Sequence, residues 1–197
     1  RRFSGTSNST RSGSRMPRSP LIRKAVLANG LTVLTERMPA VRSVALGAWI
    51  GVGSRDEEAS QAGVSHFLEH MLFKGTERRS AEAIAQEIEA VGGKLDAFTS
   101  REHTCYYAKV LGEHLPLAVD LLADLLLHPR LDVADLEKER GVILQEIRMV
   151  EDTPDDEIHD IFARAIWGEH PLGRSILGRP QTLEALTREA LRAYLAD

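Results

Sequence analysis

Two histidines four residues apart, His66 and His70, with Glu69 immediately before the second, could together build a hydrolytic metal centre. On an α-helix, residues four apart sit about 40° apart around the axis and about 6 Å apart along it, so both imidazoles can reach one ion. Neutral imidazole nitrogen is a preferred zinc ligand, and a catalytic zinc takes three protein ligands while keeping a fourth position for water. Glu69 lies on the same helical face but is adjacent to His70, which suits a carboxylate beside the water better than one on the metal. It is the candidate general base: the ion lowers the pKa of its water and the carboxylate takes the proton. A shuffled chain of this composition would contain the His-x-x-Glu-His pattern about 0.02 times. The competing reading is an ordinary amphipathic helix whose histidines are core or surface groups.

The third ligand must come from elsewhere, and the segment from Leu136 to Ile147 offers it. Glu139 and Glu146 are seven apart, two helical turns, so they project from one face together with Ile143. In a chain that is 27% charged, such a stripe standing alone would read as a solvated face. Beside a His-x-x-Glu-His helix, the better account is one carboxylate as ligand and the other behind a ligand histidine, orienting it.

The longer string Gly63-Val64-Ser65-His66-Phe67-Leu68-Glu69-His70-Met71-Leu72-Phe73-Lys74-Gly75-Thr76 resembles the pitrilysin/insulinase family of metallopeptidases, whose inverted zinc motif it carries. It is most similar to the branch containing mitochondrial processing peptidase and its bacterial relatives. Further family-like strings follow in order: Asn29-Gly30-Leu31-Thr32-Val33, Gly51-Val52-Gly53-Ser54-Arg55-Asp56-Glu57, Gly92-Gly93-Lys94-Leu95-Asp96-Ala97-Phe98-Thr99, Glu139-Arg140 with Val142 to Glu146, and His170-Pro171-Leu172-Gly173. The resemblance implies that His66, His70 and Glu146 hold one zinc ion per chain, that Glu69 is the base, and that Glu139 accompanies the ligands. It also implies that the strand around Phe98 binds substrate backbone; Asp96 departs there from the Asn common in relatives, which bears on fine specificity. Phe98, Thr99, Arg101 and Glu102 are the candidate substrate contacts, with an extended peptide pairing along Leu95–Thr99 by strand addition.

The elements that must position these groups alternate along the chain from Leu21. Lys24–Ala28 and Leu31–Glu36 flank Asn29-Gly30, a strong hairpin signal. Val44–Val52, Leu95–Thr99 and Thr104–Leu111 read as strands. Helices are predicted over Gln61–Lys74, Ser80–Val91 with Ser80 as cap, Leu115–Leu127, Val133–Val150, Asp155–Trp167 and Thr182–Leu195. The fold expected is α+β, an antiparallel or mixed sheet covered by helices, like a processing-peptidase metallohydrolase half truncated at its C-terminus. Residues 1–20, with Arg1, Arg2, Arg11, Arg15 and Arg18 among Ser, Thr and Gly and no acidic residue, are expected to be a disordered leader, and 21–197 an incomplete zinc-binding peptidase domain. The leader's composition also suits a transit peptide, although its Gly and Pro content opposes an amphipathic helix.

Composition narrows the classes. With 43% hydrophobic residues in 197, the chain can bury one sizeable core. A net charge of −4 carries no nucleic-acid footprint, and no apolar run approaches the roughly 18 residues of a membrane span. Cys105 is the single cysteine and sits in a predicted strand, which suits a structural thiol. His103 is placed for a substrate contact or an ordinary strand end, whereas His114, His128, His159 and His170 lack partners at ligand spacing.

The function expected is a zinc endopeptidase acting on extended or unfolded peptides, in the bacterial cytoplasm or, alternatively, the mitochondrial matrix. A second homologous half or subunit is its expected partner, since family members enclose substrate between two halves, and this chain alone is expected to hydrolyse peptides weakly. Two alternatives stand beside it. One is a non-catalytic scaffold of the same family, which would not need His66, Glu69, His70 and Glu146 together. The other is a small-molecule metalloenzyme of the S-ribosylhomocysteine lyase kind, against which the absence of a well-placed reactive cysteine counts.

Overall fold

The computed structural model of the protein describes residues 22–196; the predicted leader, residues 1–20, lies outside them. The chain divides after Val41 into two compact units. The first contains an antiparallel hairpin, β1 (Ile22–Val26) and β2 (Thr32–Glu36), with Ile22 opposite Glu36 and Val26 opposite Thr32. The sequence predicts a two-residue turn at Asn29-Gly30, but the loop is five residues long. Leu27 donates to the Leu31 carbonyl and Gly30 to the Leu27 carbonyl, with Gly30 at φ +88° and the Asn29 side chain accepting from the Leu31 N–H.

The second unit is built on an antiparallel three-stranded sheet in the order β3 (Ser43–Ile50), β5 (Thr104–Leu111), β4 (Lys94–Thr99). Alternation decides its faces: Tyr106, Ala108 and Val110 of the central strand are buried, while Lys109 and Leu111 are exposed. Ala48, Tyr106 and Ala97 share one row across the sheet, and Trp49, Cys105 and Phe98 share the next row, on the opposite face. Against the buried face pack α1 (Val64–Leu72) and α3 (Leu115–Leu127), with α2 (Ala81–Ala90) beside β4, and α4 (Val133–Glu151) packs on α1.

α1 is helical for a readable reason. Val64, Phe67, Leu68, Met71 and Leu72 recur at three- and four-residue spacing and all are buried, each worth about 1.5–3 kcal/mol of transfer free energy. Apart from Ser65, whose buried hydroxyl meets that of Tyr194, the residues left off that stripe are His66, Glu69 and His70, so the core itself aims the motif at one surface. The helix is shorter than the predicted Gln61–Lys74, because Gly63 at φ +97° breaks the chain before it and Gly75 at φ +117° after it. α2 starts at Ser80 as expected, the hydroxyl accepting from the Ala83 N–H.

α5 (Pro154–Trp167) follows α4 directly. The predicted helix Thr182–Leu195 is in fact two, α6 (Pro180–Ala185) and α7 (Arg188–Ala196). Leu186 turns extended at ψ 128° and buries its side chain in the core, and the Thr187 hydroxyl then accepts from the Ala190 N–H to restart the helix. Arg140 on α4 ties this break to the core, donating to the carbonyls of Leu183 and Leu186 and lying 5.7 Å from the Phe67 ring centre.

Candidate metal centre

α1 and α4 bring three donors together. His66 Nε2 and His70 Nε2 lie 3.8 and 3.6 Å from Glu146 Oε2, and the two imidazole rings are 4.7 Å apart at their centres. One ligand atom from each of the three residues fits within a 4.8 Å set. Donors about 2.0–2.1 Å from a tetrahedral ion lie about 3.4 Å from one another, so the two imidazole–carboxylate separations fit an ion with a few tenths of an ångström of contraction. The donor set, two imidazoles and one carboxylate, is the chemistry of a hydrolytic zinc site.

Behind the donors, Glu139 occupies a core position on α4, in line with Leu136, Ile143 and Ile147, and is 7% exposed. Its Oε2 lies 3.1 Å from His70 Nδ1, the arrangement that fixes a ligand imidazole with Nε2 free to bind. His66 differs, since its Nδ1 is buried without a hydrogen-bond partner among the described residues. Burial, and then the neighbouring His70, push the His66 imidazole down to about 4, so it is neutral and able to ligate near pH 7.

Glu69 faces β4, where the Thr99 hydroxyl donates to its carboxylate. Burial raises the Glu69 carboxyl above its ordinary value; the Thr99 hydrogen bond and His70 oppose that rise, and the charges of Asp96 and Glu146 add to it. A carboxylate raised in this way is a stronger base.

Of the four candidate substrate contacts, Phe98, Thr99 and Arg101 line a cavity of about 450 Å³ together with His66 and Glu69. Glu102 is exposed and pairs with Arg55. The same cavity is lined from α5 by Asp156, His159 and Asp160, and Arg101 crosses to Asp160 at 3.0 Å. These acidic residues are not apparent from the sequence, where Asp155, Asp156 and Glu157 read as ordinary first-turn acids.

Glu57 was equally hidden. It is 4% exposed, and its carboxylate accepts from the N–H groups of Gly63 and Ser65 at 2.7 and 2.9 Å, capping the motif helix, whose own cap residue has no side chain. Burial raises the Glu57 carboxyl, and these two backbone bonds counter it. Gly63 and Gly178 are pressed together beside this cap: a Cβ on Gly63 would stand 2.7 Å from the Leu177 carbonyl oxygen, and one on Gly178 2.2 Å from that of Ala62. The helix start is thereby fixed in space as well as capped.

The family described as Insulinase (Peptidase family M16) matches residues 32–180. The chain is 54% identical over 172 residues to a protein of Mycobacterium tuberculosis named as an uncharacterized zinc protease, covering 87% of this chain and 39% of that protein. It is 44% identical over 177 residues to a probable mitochondrial-processing peptidase subunit beta of Arabidopsis thaliana, covering 90% of this chain and 33% of that one. A protease structure from Helicobacter pylori superposes with a TM-score of 0.84 over 89% of this chain and 42% of its own; at 24% identity, this likeness shows the fold. The chain thus spans roughly a third to two fifths of the length of these relatives.

Proposed function

The chain belongs to the insulinase family of peptidases, family M16, and from that premise we propose that it is the metal-bearing half of a zinc endopeptidase that cleaves extended peptides. The observation that carries this reading is the convergence of His66, His70 and Glu146, with His66 and Glu69 in the wall of one cavity. His66, His70 and Glu146 would hold the ion, and Glu139 would keep the His70 ring in place. When bound there, zinc supplies Lewis-acid polarisation of the scissile carbonyl and a water of lowered pKa. Glu69 would hold a proton on its carboxylate during hydrolysis and pass it to the leaving amine, while the Thr99 hydroxyl, donating to that carboxylate, would keep it toward the cavity.

Substrate would enter as a strand. β4 is an edge of its sheet, so its outer N–H and C=O groups can pair with an extended peptide, which would have to displace Asp96 Oδ1 from the Ala97 N–H, where it accepts at 2.9 Å. Backbone pairing gives affinity with little demand on sequence, and the acidic lining adds a preference for basic side chains. Asp156 and Asp160 offer carboxylates to such a side chain, which would displace Arg101 from Asp160. A second homologous half is proposed to close the cavity and exclude water. The scaffold alternative is weaker, because it leaves the four-residue constellation without a use.

The test is cleavage of quenched basic and neutral peptides by the zinc-loaded chain with a second homologous half supplied in trans. Asp160→Asn is expected to reduce kcat/KM for the basic peptide about five- to tenfold relative to the neutral one, as losing one partly exposed charge-assisted contact should. Equal effects on both peptides would refute the acidic pocket, and no zinc-dependent cleavage of either would refute the peptidase reading.

A further inference from the structure

Lys74 follows His70 by four residues, as His70 follows His66, and so continues the face that carries the metal donors. It lies in the turn after α1, its N–H bonded to the Met71 carbonyl at 3.1 Å and its own carbonyl accepting from Arg130 at 3.1 Å. From this anchored position its ammonium reaches Glu139 Oε1 at 2.8 Å, while the other oxygen of that carboxylate meets His70 Nδ1 at 3.1 Å. Both oxygens of one buried carboxylate are therefore engaged, one by the lysine and one by the ligand ring. Two contacts fix the plane of the carboxylate, and loss of the lysine leaves it held at one oxygen, about which it can turn.

We propose that Lys74 is a positioning residue of the metal centre: by holding Glu139, it fixes the ring orientation and tautomer of His70 and thereby sets the affinity for zinc. The inference rests on the reading of His66, His70 and Glu146 as ligands. With an acceptor at Nδ1, His70 keeps its proton there and presents the Nε2 lone pair toward Glu146; without a directed acceptor, the ring is free to rotate or to take the other tautomer. His70 is the ligand on which such control can act, since the Nδ1 of His66 has no partner among the described residues.

The sign of the effect separates this role from a simple charge effect. A cation near a dication site repels the ion, so if Lys74 acted only through space its removal would tighten zinc binding. A positioning role requires the opposite.

The experiment compares the 197-residue chain with Lys74→Met and Lys74→Arg by zinc titration against a chromophoric chelator, and by ¹⁵N NMR of the His70 ring in the metal-free chains. Lys74→Met is expected to weaken zinc binding about 10–100-fold, with Lys74→Arg within about threefold of the parent. The metal-free parent and Lys74→Arg should show His70 protonated at Nδ1, and Lys74→Met a mixture of tautomers. Unchanged or tighter zinc binding by Lys74→Met, with the His70 tautomer unaltered, would overturn the proposal. A parent chain that binds no zinc would refute the ligand reading, while the tautomer comparison would still decide whether Lys74 holds the ring. Should Lys74→Met not fold, Lys74→Gln gives the same readings.

Discussion

Glu69→Gln is expected to lower peptide hydrolysis by about 10²–10⁴-fold while leaving zinc affinity within about threefold of the parent. The substitution is close to isosteric, and the amide oxygen can still accept from the Thr99 hydroxyl, so the cavity wall between α1 and β4 keeps its shape. What is lost is the ability to take a proton. His66, His70 and Glu146 are untouched, which is why binding and turnover should separate. Zinc content and kcat, measured on the same preparation with the second half in trans, check the prediction. Activity that survives in the zinc-loaded variant would place the base elsewhere.

The second large effect is on stability. Asp124 has no exposed side-chain surface, although it sits in the Leu-rich helix α3. Its carboxylate accepts from Thr76 at 2.8 Å, from Arg78 Nε at 2.9 Å and from Arg79 at 2.8 Å, fastening the connection between α1 and α2 onto α3. Removing one partner of a buried ion pair costs about 3–5 kcal/mol. Asp124→Ala should fall near the lower end, about 3 kcal/mol, because Arg79 keeps Glu87 and Asp120 and Arg78 keeps Asp120. Chemical unfolding of the metal-free chain measures this, and a loss below about 1 kcal/mol would show that the network contributes no more than an exposed pair.

The pH dependence follows from the same group. Burial alone would raise the Asp124 carboxyl, but the hydrogen bonds from Arg79, Thr76 and Arg78 outweigh it and hold the group below its ordinary value. A depressed folded-state value stabilises the fold above the unfolded carboxyl's pKa of about 3.9 and loses that contribution as pH falls through the folded one. The difference in stability between parent and Asp124→Ala should therefore shrink in acid.

How much of this was legible depends on whether a residue's task is local. The spacing of His66, Glu69 and His70 carries its meaning within one helix, and the seven-residue interval of Glu139 and Glu146 places both on one face, so the five side chains could be singled out together; that Glu146 and not Glu139 is the ligand came from the family resemblance. The strands expected at Leu95–Thr99 and Thr104–Leu111, the second from its β-forming residues, and the helix Leu115–Leu127, apolar on most sides, were likewise legible, the first strand starting one residue earlier at Lys94. Glu57 was out of reach because its partners, the N–H groups of Gly63 and Ser65, depend on how a loop folds back. Asp124 left a signal, an acid flanked by Leu121-Leu122 and Leu125-Leu126-Leu127 with Asp120 one turn before it and the pair Arg78-Arg79 in the loop upstream, but only the packing of α3 shows which charges meet. The break at Leu186 was readable in principle from Thr187 as a helix cap; burial of Leu186 in the core decided it.

The account stands on three side chains sharing one ion, and zinc titration of the purified chain beside Glu146→Gln and His70→Ala tests that most directly. The parent should take up one zinc per chain, and each variant should bind at least about 100-fold more weakly, while all three unfold at similar denaturant concentrations when metal-free. A parent without stoichiometric zinc, or a Glu146→Gln chain that binds as the parent does, would contradict it.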